Sequence, residues 1–195
     1  GSSFNKELIS KVGEKIAEEC RKENVDILLG PGLNIKRSPL CGRNFEYYSE
    51  DPYLSGVMAG SFVDGVQSLG VGACVKHYAA NSQENYRLVI DSVVDERALR
   101  EIYLKGFELA VKKGKASSIM TTYGSVNGRW TAGSYDLNTT ILRNEWGFKG
   151  VVMTDWFANI NEFGKAPEKT NFAAMIRSQN DLYMVCPDGS YASTG

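Results

Sequence analysis

The spacing of apolar and polar residues predicts helices and strands that alternate along the chain. In residues 5–23, Leu8, Val12 and Ile16 recur on one stripe, which is the period of an amphipathic α-helix. Further helices are predicted over residues 53–69, 96–114, 137–146 and 171–179. Asp95 precedes the helix at 96–114 as an N-terminal cap. Short, continuously apolar runs predict five buried strands, at residues 25–30, 71–78, 116–123, 150–155 and 181–187.

This order of elements predicts the α/β class. Because the strands are apolar on both faces, we expect a parallel sheet covered by helices. Connections that lead into a strand are short, whereas those that leave its carboxyl end are long: 31–52, 79–94, 124–136 and 156–169. In a (β/α) barrel, and equally in an open α/β sheet, the carboxyl-end face binds ligands. We therefore expect the functional site on that face.

Composition narrows the functional class. The 195 residues are 43% hydrophobic, so a sizeable core and one domain over residues 1–195 are expected. A net charge of -1 without any basic run argues against nucleic acid as a partner. The apolar runs are too short to span a membrane and no signal peptide is visible, which predicts a cytoplasmic protein.

Neither a metal nor a cofactor is expected. Cysteines 20, 41, 74 and 186 form no CxxC pair, so we interpret them as reduced, mostly core residues. His77 is the only histidine, which excludes a multi-histidine metal site within the chain. The glycine-rich stretches GLGVGAC and GPGLNI lack the strand-to-helix context of a dinucleotide or phosphate loop.

One carboxylate interrupts the apolar run GVVMTDWFA at 150–158. A charge at the edge of a core is costly unless it is paired or used. Asp155 is therefore either a turn or capping residue, or a catalytic carboxylate. In the catalytic interpretation, Trp156 supplies an apolar wall suited to a sugar ring.

A lysine and a histidine end the predicted strand at 71–78. Lys76 has three open interpretations: a Schiff-base amine, a hydrogen-bond donor to substrate hydroxyls, or a lysine that reaches out to solvent beside a His77 whose hydrogen bonds are satisfied. The loop stretch CGRNFEYYSEDP at 41–52 is also rich in charge. Its charged residues either form a rigidifying salt-bridge lattice, or Arg43 reaches into the site.

Several long motifs resemble the barrel domain of family 3 glycoside hydrolases, the β-glucosidase group. They are LLGPGLNIKRSPLCGRNFEYYSEDPYLSG, CVKHYAANSQENYR, DERALREIYLKGFELAV, MTTYGSVNGRWTAGSYDLNTTILRNEWGFKGVVMTDW and QNDLYMV, and they occur in the family's order from about residue 4 to 187. The resemblance implies a TIM-type (β/α) barrel and retaining hydrolysis of β-glycosidic bonds, with β-glucosides as substrates.

The resemblance also implies roles for individual residues. Asp155 matches the nucleophile that forms a covalent glycosyl-enzyme intermediate. The matched substrate-binding residues are Arg43, Lys76, His77, Tyr123 and Trp156. In this family the Lys-His bond is often cis. Because the nucleophile must stay ionised, we expect Arg43 or Lys76 to hold the pKa of Asp155 down.

The second carboxyl group of a retaining glycosidase, about 5–5.5 Å from the nucleophile, has no counterpart among the matched motifs. Larger family members carry it on a separate α/β sandwich domain, and the single-domain branch uses a His-Asp dyad on a KHFPGHG-like loop. This chain has KHYAANSQE there, and the resemblance assigns no such role to Glu46 or Glu84 in the loops. The glycosidase interpretation therefore competes with a non-catalytic sugar- or partner-binding chain, and less strongly with an aldolase that uses Lys76.

The five predicted strands fall short of a closed barrel, which has about eight strands and typically about 250 residues. We therefore expect an incomplete barrel, a piece of an enzyme with little or no activity of its own. Because an incomplete barrel exposes sheet edges, we expect self-association or a complementary chain to close it.

Overall fold

The computed structural model describes residues 1–185. Cys186 and the end of the strand predicted at 181–187 lie outside the described residues. Cys20, Cys41 and Cys74 are buried free thiols, as the sequence predicts.

Four parallel strands form the main sheet, in the same order as in the chain. The strands are β1 (Ile27–Leu28), β2 (Gly72–Tyr78), β4 (Ser118–Thr121) and β7 (Val151–Met153), and their spatial order is β1-β2-β4-β7. All three pairings are parallel. The predicted fifth strand is reduced to a single parallel bridge between Met153 and Leu182 within the described residues. Since β1 and β7 are not paired with each other, the ring that a barrel would form is open within residues 1–185.

The helices follow the predicted pattern closely. They are α1 (Lys6–Lys22), α2 (Pro52–Gln67), α3 (Glu96–Ala98), α4 (Lys105–Lys112) and α5 (Phe172–Arg177). Asp95 caps α3 as predicted, and its carboxylate accepts the N–H of Ala98 at 2.9 Å. The predicted helix at 96–114 is not uniform, because a π-helical segment, Leu99–Tyr103, separates α3 from α4. The predicted helix at 137–146 is also π-helical, over Asp136–Glu145.

Glycines let α2 pack against its two helical neighbours at close range. A Cβ on Gly65 would lie 2.0 Å from the carbonyl oxygen of Ser10 in α1. A Cβ on Gly56 would lie 2.5 Å from Cδ1 of Leu109 in α4. These glycines weaken the intrinsic helix propensity of α2, and the close packing that they permit explains why they are tolerated there.

The main sheet is apolar on both faces, as predicted. Residues such as Val75, Ile119 and Val152 face the main core, which is shared with the helices. The alternating residues Cys74, Met120 and Met153 form a second small cluster on the opposite face, with Leu29, Trp156 and Met184 packed against it. This second face is the interior side of the open barrel.

Two of the long loops contain a sheet that the sequence did not predict. Strands β3 (Asp91–Ser92), β5 (Ser125–Val126) and β6 (Arg129–Trp130) form it, in the order β3-β5-β6. Each strand has only two residues, too few for a period in the sequence to reveal. The carboxylate of Asp91 joins the two loops, because it accepts from the Ser125 hydroxyl and the Gly128 N–H, each at 2.8 Å. The loops that border the carboxyl-end face are therefore tied together.

Candidate active site

The carboxyl ends of β2, β4 and β7 bring the predicted site residues together. Lys76 and His77 lie at the end of β2, where the register with β4 shifts between Val75 and Tyr78. Such irregularities turn side chains away from the regular pleat. The Lys76–His77 peptide is cis, as the resemblance implies. Asp155 follows β7 two residues after its last member.

Asp155 is a nearly buried carboxylate surrounded by polar groups. It is 6% exposed, and its Oδ1 accepts the backbone N–H of Trp156 at 2.8 Å. Its Oδ2 lies 3.8 Å from Nε2 of His77. The Tyr123 phenol interacts with the same carboxylate and lowers the pKa of Asp155. The carboxylate caps none of the described helices, so the capping interpretation is wrong, whereas the turn interpretation is confirmed: the Asp155 carbonyl accepts the Ala158 N–H at 3.4 Å across a turn at the end of the strand.

The charge of Arg43 lowers the pKa of Asp155, as expected from the sequence, although the net direction of the shift is upward. Burial raises the pKa of Asp155, and this effect outweighs the hydrogen bond from the Trp156 N–H, the interaction with Tyr123 and the charges of Arg43 and Arg87, which lower it. Desolvation disfavours the charged form of an acid, and here the cations only offset part of that cost.

His77 is almost fully buried and held from two sides. The side-chain amide of Asn34 accepts its backbone N–H at 2.7 Å and donates to its carbonyl at 2.8 Å. On the ring, Nδ1 lies 3.3 Å from the hydroxyl of Tyr47. Burial, and then the charges of Arg43 and Lys76, lower the pKa of His77 well below 6.5, so the imidazole is neutral at pH 7.

Arg43 and Lys76 converge on one carboxylate, that of Glu46. Arg43 donates to Oε1, and the ammonium of Lys76 lies 3.4 Å from Oε2. All three side chains are about four-fifths buried. Arg43 joins a salt-bridge pair, which confirms one of the two interpretations from the sequence, and its charge lowers the pKa values of Asp155 and His77. Because Lys76 is engaged by a carboxylate, a hydrogen-bonding role fits it better than that of a free amine.

The lattice expected within 41–52 is smaller than the sequence suggested. Asp51 is no part of it, since its carboxylate caps α2 and accepts the Leu54 N–H at 2.6 Å.

A second ion pair borders the site on the side of the loop at 79–94. Glu84 Oε2 accepts from Arg87 at 3.0 Å, and the Arg87 guanidinium stacks over the Tyr123 ring at 5.0 Å. Burial, followed by the charge of Asp155, raises the pKa of Tyr123 to about 12. Tyr123 therefore stays a neutral phenol beside Asp155.

Trp156 takes a position consistent with a wall of the site. Its side chain is partly buried and packs against the cluster of Cys74, Met120 and Met153 on the interior face of the sheet. Its backbone also orients Asp155, as described above. The indole is therefore supported from below by the barrel interior and remains partly exposed.

Four residues of this site escaped the sequence analysis: Asn34, Tyr47, Asn81 and Arg87. All four stand inside the motifs that carry the family resemblance, on the long loops at 31–52 and 79–94. The position of Arg87 in a long loop after β2, three residues from Glu84, was the available signal. Loop residues have no period, so the sequence did not show which of them turn towards the strand ends.

Neither Glu46 nor Glu84 behaves as the second carboxyl group. Glu46 is engaged by Arg43 and Lys76, and Glu84 by Arg87 and Asn81. A general acid must instead carry a proton at working pH. No cluster of three or more histidine, cysteine or acidic residues that could hold a metal occurs within residues 1–185. Over the same residues, none of the helices has the length and apolar character needed to cross a membrane.

Comparison with known proteins decides the family. The model of the glycosyl hydrolase family 3 N-terminal domain matches residues 1–193. The chain belongs to this family. A beta-glucosidase of Ruminococcus albus is 62% identical over 192 residues, which are 98% of this chain and 20% of that protein.

Two further relatives extend the comparison. An exo-alpha-(1->6)-L-arabinopyranosidase of Bifidobacterium breve is 56% identical over 158 residues, 81% of this chain and 21% of that protein. The structure of beta-glucosidase 3B from Thermotoga neapolitana in complex with glucose shares 54% identity at a TM-score of 0.88, covering 94% of this chain and 24% of that one. The chain thus spans about a fifth of the length of the curated relatives it matches.

The family membership confirms the resemblance and the barrel type of the fold. The family 3 barrel is open in the described residues, so it matches the predicted incomplete barrel.

Proposed function

We propose that this family 3 domain provides the nucleophile and the sugar-binding face of a retaining β-glycosidase, with Asp155 as the nucleophile. The observation that carries the proposal is the position of the Asp155 carboxylate. It stands at the end of β7, 3.8 Å from His77 Nε2, with Trp156 beside it and Tyr123 interacting with it.

The first half of the reaction follows from this position. A carboxylate oxygen of Asp155 attacks the anomeric carbon, the bond from that carbon to the aglycone oxygen breaks, and the electron pair leaves with the aglycone. A natural leaving group needs a proton from an acid, whereas an aryloxide leaves without one. The neutral donors around the carboxylate would bind the sugar hydroxyls. Hydrolysis of the ester by water completes the cycle and releases the sugar.

The substrate class we propose is a β-glucoside or a related small saccharide. The support is the beta-glucosidase names of the relatives and the glucose bound to the Thermotoga neapolitana enzyme. The Bifidobacterium breve relative is named for an arabinopyranosidase, so the proposal needs a direct test against a pentopyranoside.

An activated 2-fluoro glucoside with an aryl leaving group tests the nucleophile. Intact mass after incubation should show one sugar adduct on the chain, and peptide mapping should place it on Asp155. Asp155→Asn should abolish the adduct, whereas the matched variant Asp136→Asn, at an exposed aspartate, should keep it. An adduct that survives Asp155→Asn excludes this nucleophile. The 2-fluoro arabinopyranoside, run in parallel, ranks the sugars.

A second candidate function is sugar binding without turnover. It is favoured by one observation, namely that Glu46 and Glu84 are both engaged by cations and leave no evident acid/base within the described residues. It predicts glucose binding by calorimetry, lost in Lys76→Ala or Arg43→Ala, together with the absence of any adduct.

We also propose that a further strand pairs with the outer edge of β1. In the described residues this strand pairs only with β2; Ile27 in the strand is 38% exposed, and Val25 just before it is 40% exposed. A further strand from a second copy or a complementary chain would satisfy this edge. Light scattering after size-exclusion chromatography should show self-association, and a monomer with a cooperative melt would contradict it.

A further inference from the structure

The side-chain amide of Asn81 lies between a carboxylate and a phenol. Its Nδ2 is 3.2 Å from Glu84 Oε1 and 3.0 Å from the hydroxyl oxygen of Tyr47. The Glu84 carboxylate accepts from the Arg87 guanidinium at 3.0 Å, and carboxylate oxygens accept hydrogen bonds. The Asn81 atom that faces it must therefore be the NH₂ group. One of its two N–H bonds points to Glu84 and the other to Tyr47.

This orientation decides how the Tyr47 hydroxyl is used. Its oxygen accepts from Asn81, so its single proton is available to the next acceptor. That acceptor is Nδ1 of His77, at 3.3 Å. Tyr47 is 4% exposed, and burial raises the pKa of its phenol, so the proton is retained.

The donated proton in turn selects one form of the His77 ring. A neutral imidazole carries a proton on one nitrogen and accepts on the other. Because Nδ1 accepts from Tyr47, the proton must sit on Nε2. The Nε2–H group faces Asp155 Oδ2 at 3.8 Å, a separation too long for a hydrogen bond. Within the described residues the donor is therefore available to a hydroxyl that lies to one side of both atoms, within hydrogen-bond distance of Nε2.

We propose that Glu84, Asn81 and Tyr47 form a positioning relay that holds His77 as its Nε2–H tautomer and so presents a hydrogen-bond donor beside Asp155. The inference rests on the proposed function, in which that donor serves a sugar hydroxyl next to the attacked carbon. None of the three relay residues needs to touch the sugar. The opposite tautomer would present a lone pair to both the hydroxyl oxygen and the carboxylate.

Nitrogen NMR reads the tautomer without any turnover. His77 is the only histidine, so ¹⁵N-histidine labelling of the 195-residue chain gives one imidazole and needs no assignment. The expected spectrum has a protonated, pyrrole-type Nε2 and an unprotonated, pyridine-type Nδ1. A protonated Nδ1 in the wild-type chain would overturn the relay outright.

Removal of the phenolic donor is the first variant test. Tyr47→Phe should move the Nδ1 resonance towards that of a pyridine-type nitrogen that receives no hydrogen bond, or should produce a second tautomer. The matched control is Tyr48→Phe, the same change at the adjacent tyrosine, which should leave both ring nitrogens unchanged. An unchanged Nδ1 resonance in folded Tyr47→Phe contradicts the proposal.

Reversal of the relay is the sharper test. In Asn81→Asp an oxygen replaces the Nδ2 atom that faces both Tyr47 and Glu84. This oxygen carries at most one proton, and such a proton would be donated to the Glu84 carboxylate, so none is left for Tyr47. Tyr47 must then donate to the introduced carboxyl group and accept from His77, which moves the imidazole proton to Nδ1. Gln83→Glu adds the same charge at an exposed neighbouring position and should leave the tautomer as in the wild type. A wild-type tautomer in Asn81→Asp would overturn the relay.

The adduct assay separates this inference from the proposed function. Asn81→Asp should slow the labelling of Asp155 about tenfold, the equivalent of one lost hydrogen bond. Adduct formation with no change of tautomer keeps the nucleophile and refutes the relay. The predicted tautomers without any adduct keep the relay and refute the catalytic proposal.

Discussion

The helix layer and the carboxyl-end face of this domain differ in the kind of group that they bury. Where α1, α2 and α4 meet, backbone packs on backbone across Gly13, Gly65 and Gly56 with apolar side chains around them. At the carboxyl-end face, the chain buries the carboxylate of Asp155 and the imidazole of His77, and burial disfavours the charged form of each. The first region stabilises the fold, whereas the second lowers its stability and presents chemistry.

From this difference we expect substitutions in the helix layer to lower the stability of the fold. At the carboxyl-end face, we expect removal of a buried charge to raise it. A site that holds ionisable groups in a nearly buried position needs a rigid support, because relaxation would let water in and remove the arrangement. The helix layer supplies that support through close contacts that tolerate no added atom.

The largest effect is expected at the contact between α1 and α2. Gly65→Ala would place a Cβ 2.0 Å from the Ser10 carbonyl oxygen and force the helices apart. We expect a loss of about 3 kcal/mol or more in the free energy of unfolding, measured by urea denaturation. Gly60→Ala is the control in the same helix, since its Cβ would come no nearer than 3.7 Å to Gly114. Equal midpoints for the two variants would contradict the packing argument.

The next effect concerns the ionisation of Asp155, the proposed nucleophile. Arg87→Gln removes a charge that lowers the pKa of Asp155, so burial is opposed less and the pKa rises further. Labelling by the 2-fluoro glycoside should slow about tenfold and more strongly at acid pH, since the protonated carboxyl is inactive. The control is Arg97→Gln, at an exposed arginine paired with Glu101. A pH profile of labelling identical to that of the wild type would show that Arg87 does not act on Asp155.

A smaller effect, of opposite sign, is expected when the buried charge is removed. Since the folded-state pKa of Asp155 is raised above 3.8, its stability penalty is absent below that pH and appears as pH rises through the folded pKa. Asp155→Asn should therefore raise the melting temperature at pH 7, and the gain should vanish towards about pH 3. A variant that melts lower than the wild type at pH 7 would show that the carboxylate stabilises the fold.

The smallest effect is expected on the exposed face of α1. Lys15 and Glu18 form an ion pair at 2.7 Å in open solvent. Exposed pairs contribute little because water screens them and both side chains lose freedom. Lys15→Gln should leave the urea midpoint unchanged within error. A clear shift there would weaken the contrast between the two regions.

The sequence alone was sufficient for features that depend on neighbours along the chain. The period of apolar residues located α1 and α2 to within two residues, and the apolar runs located the four strands of the main sheet. The interruption of an apolar run by Asp155, and the family motifs around Lys76 and His77, identified the centre of the site.

Only the tertiary structure decided how the loops meet at that centre. Tyr47 and Asn34 contact His77 although they are 30 and 43 residues away from it in sequence. Arg43 pairs with Glu46, and its charge also lowers the pKa of Asp155. The two-residue strands of the small sheet and the net direction of the Asp155 pKa were likewise outside the reach of sequence patterns. The physical reason is that periodicity records which face of an element is buried, whereas the balance of desolvation and charge depends on atoms that are close in space and distant in sequence.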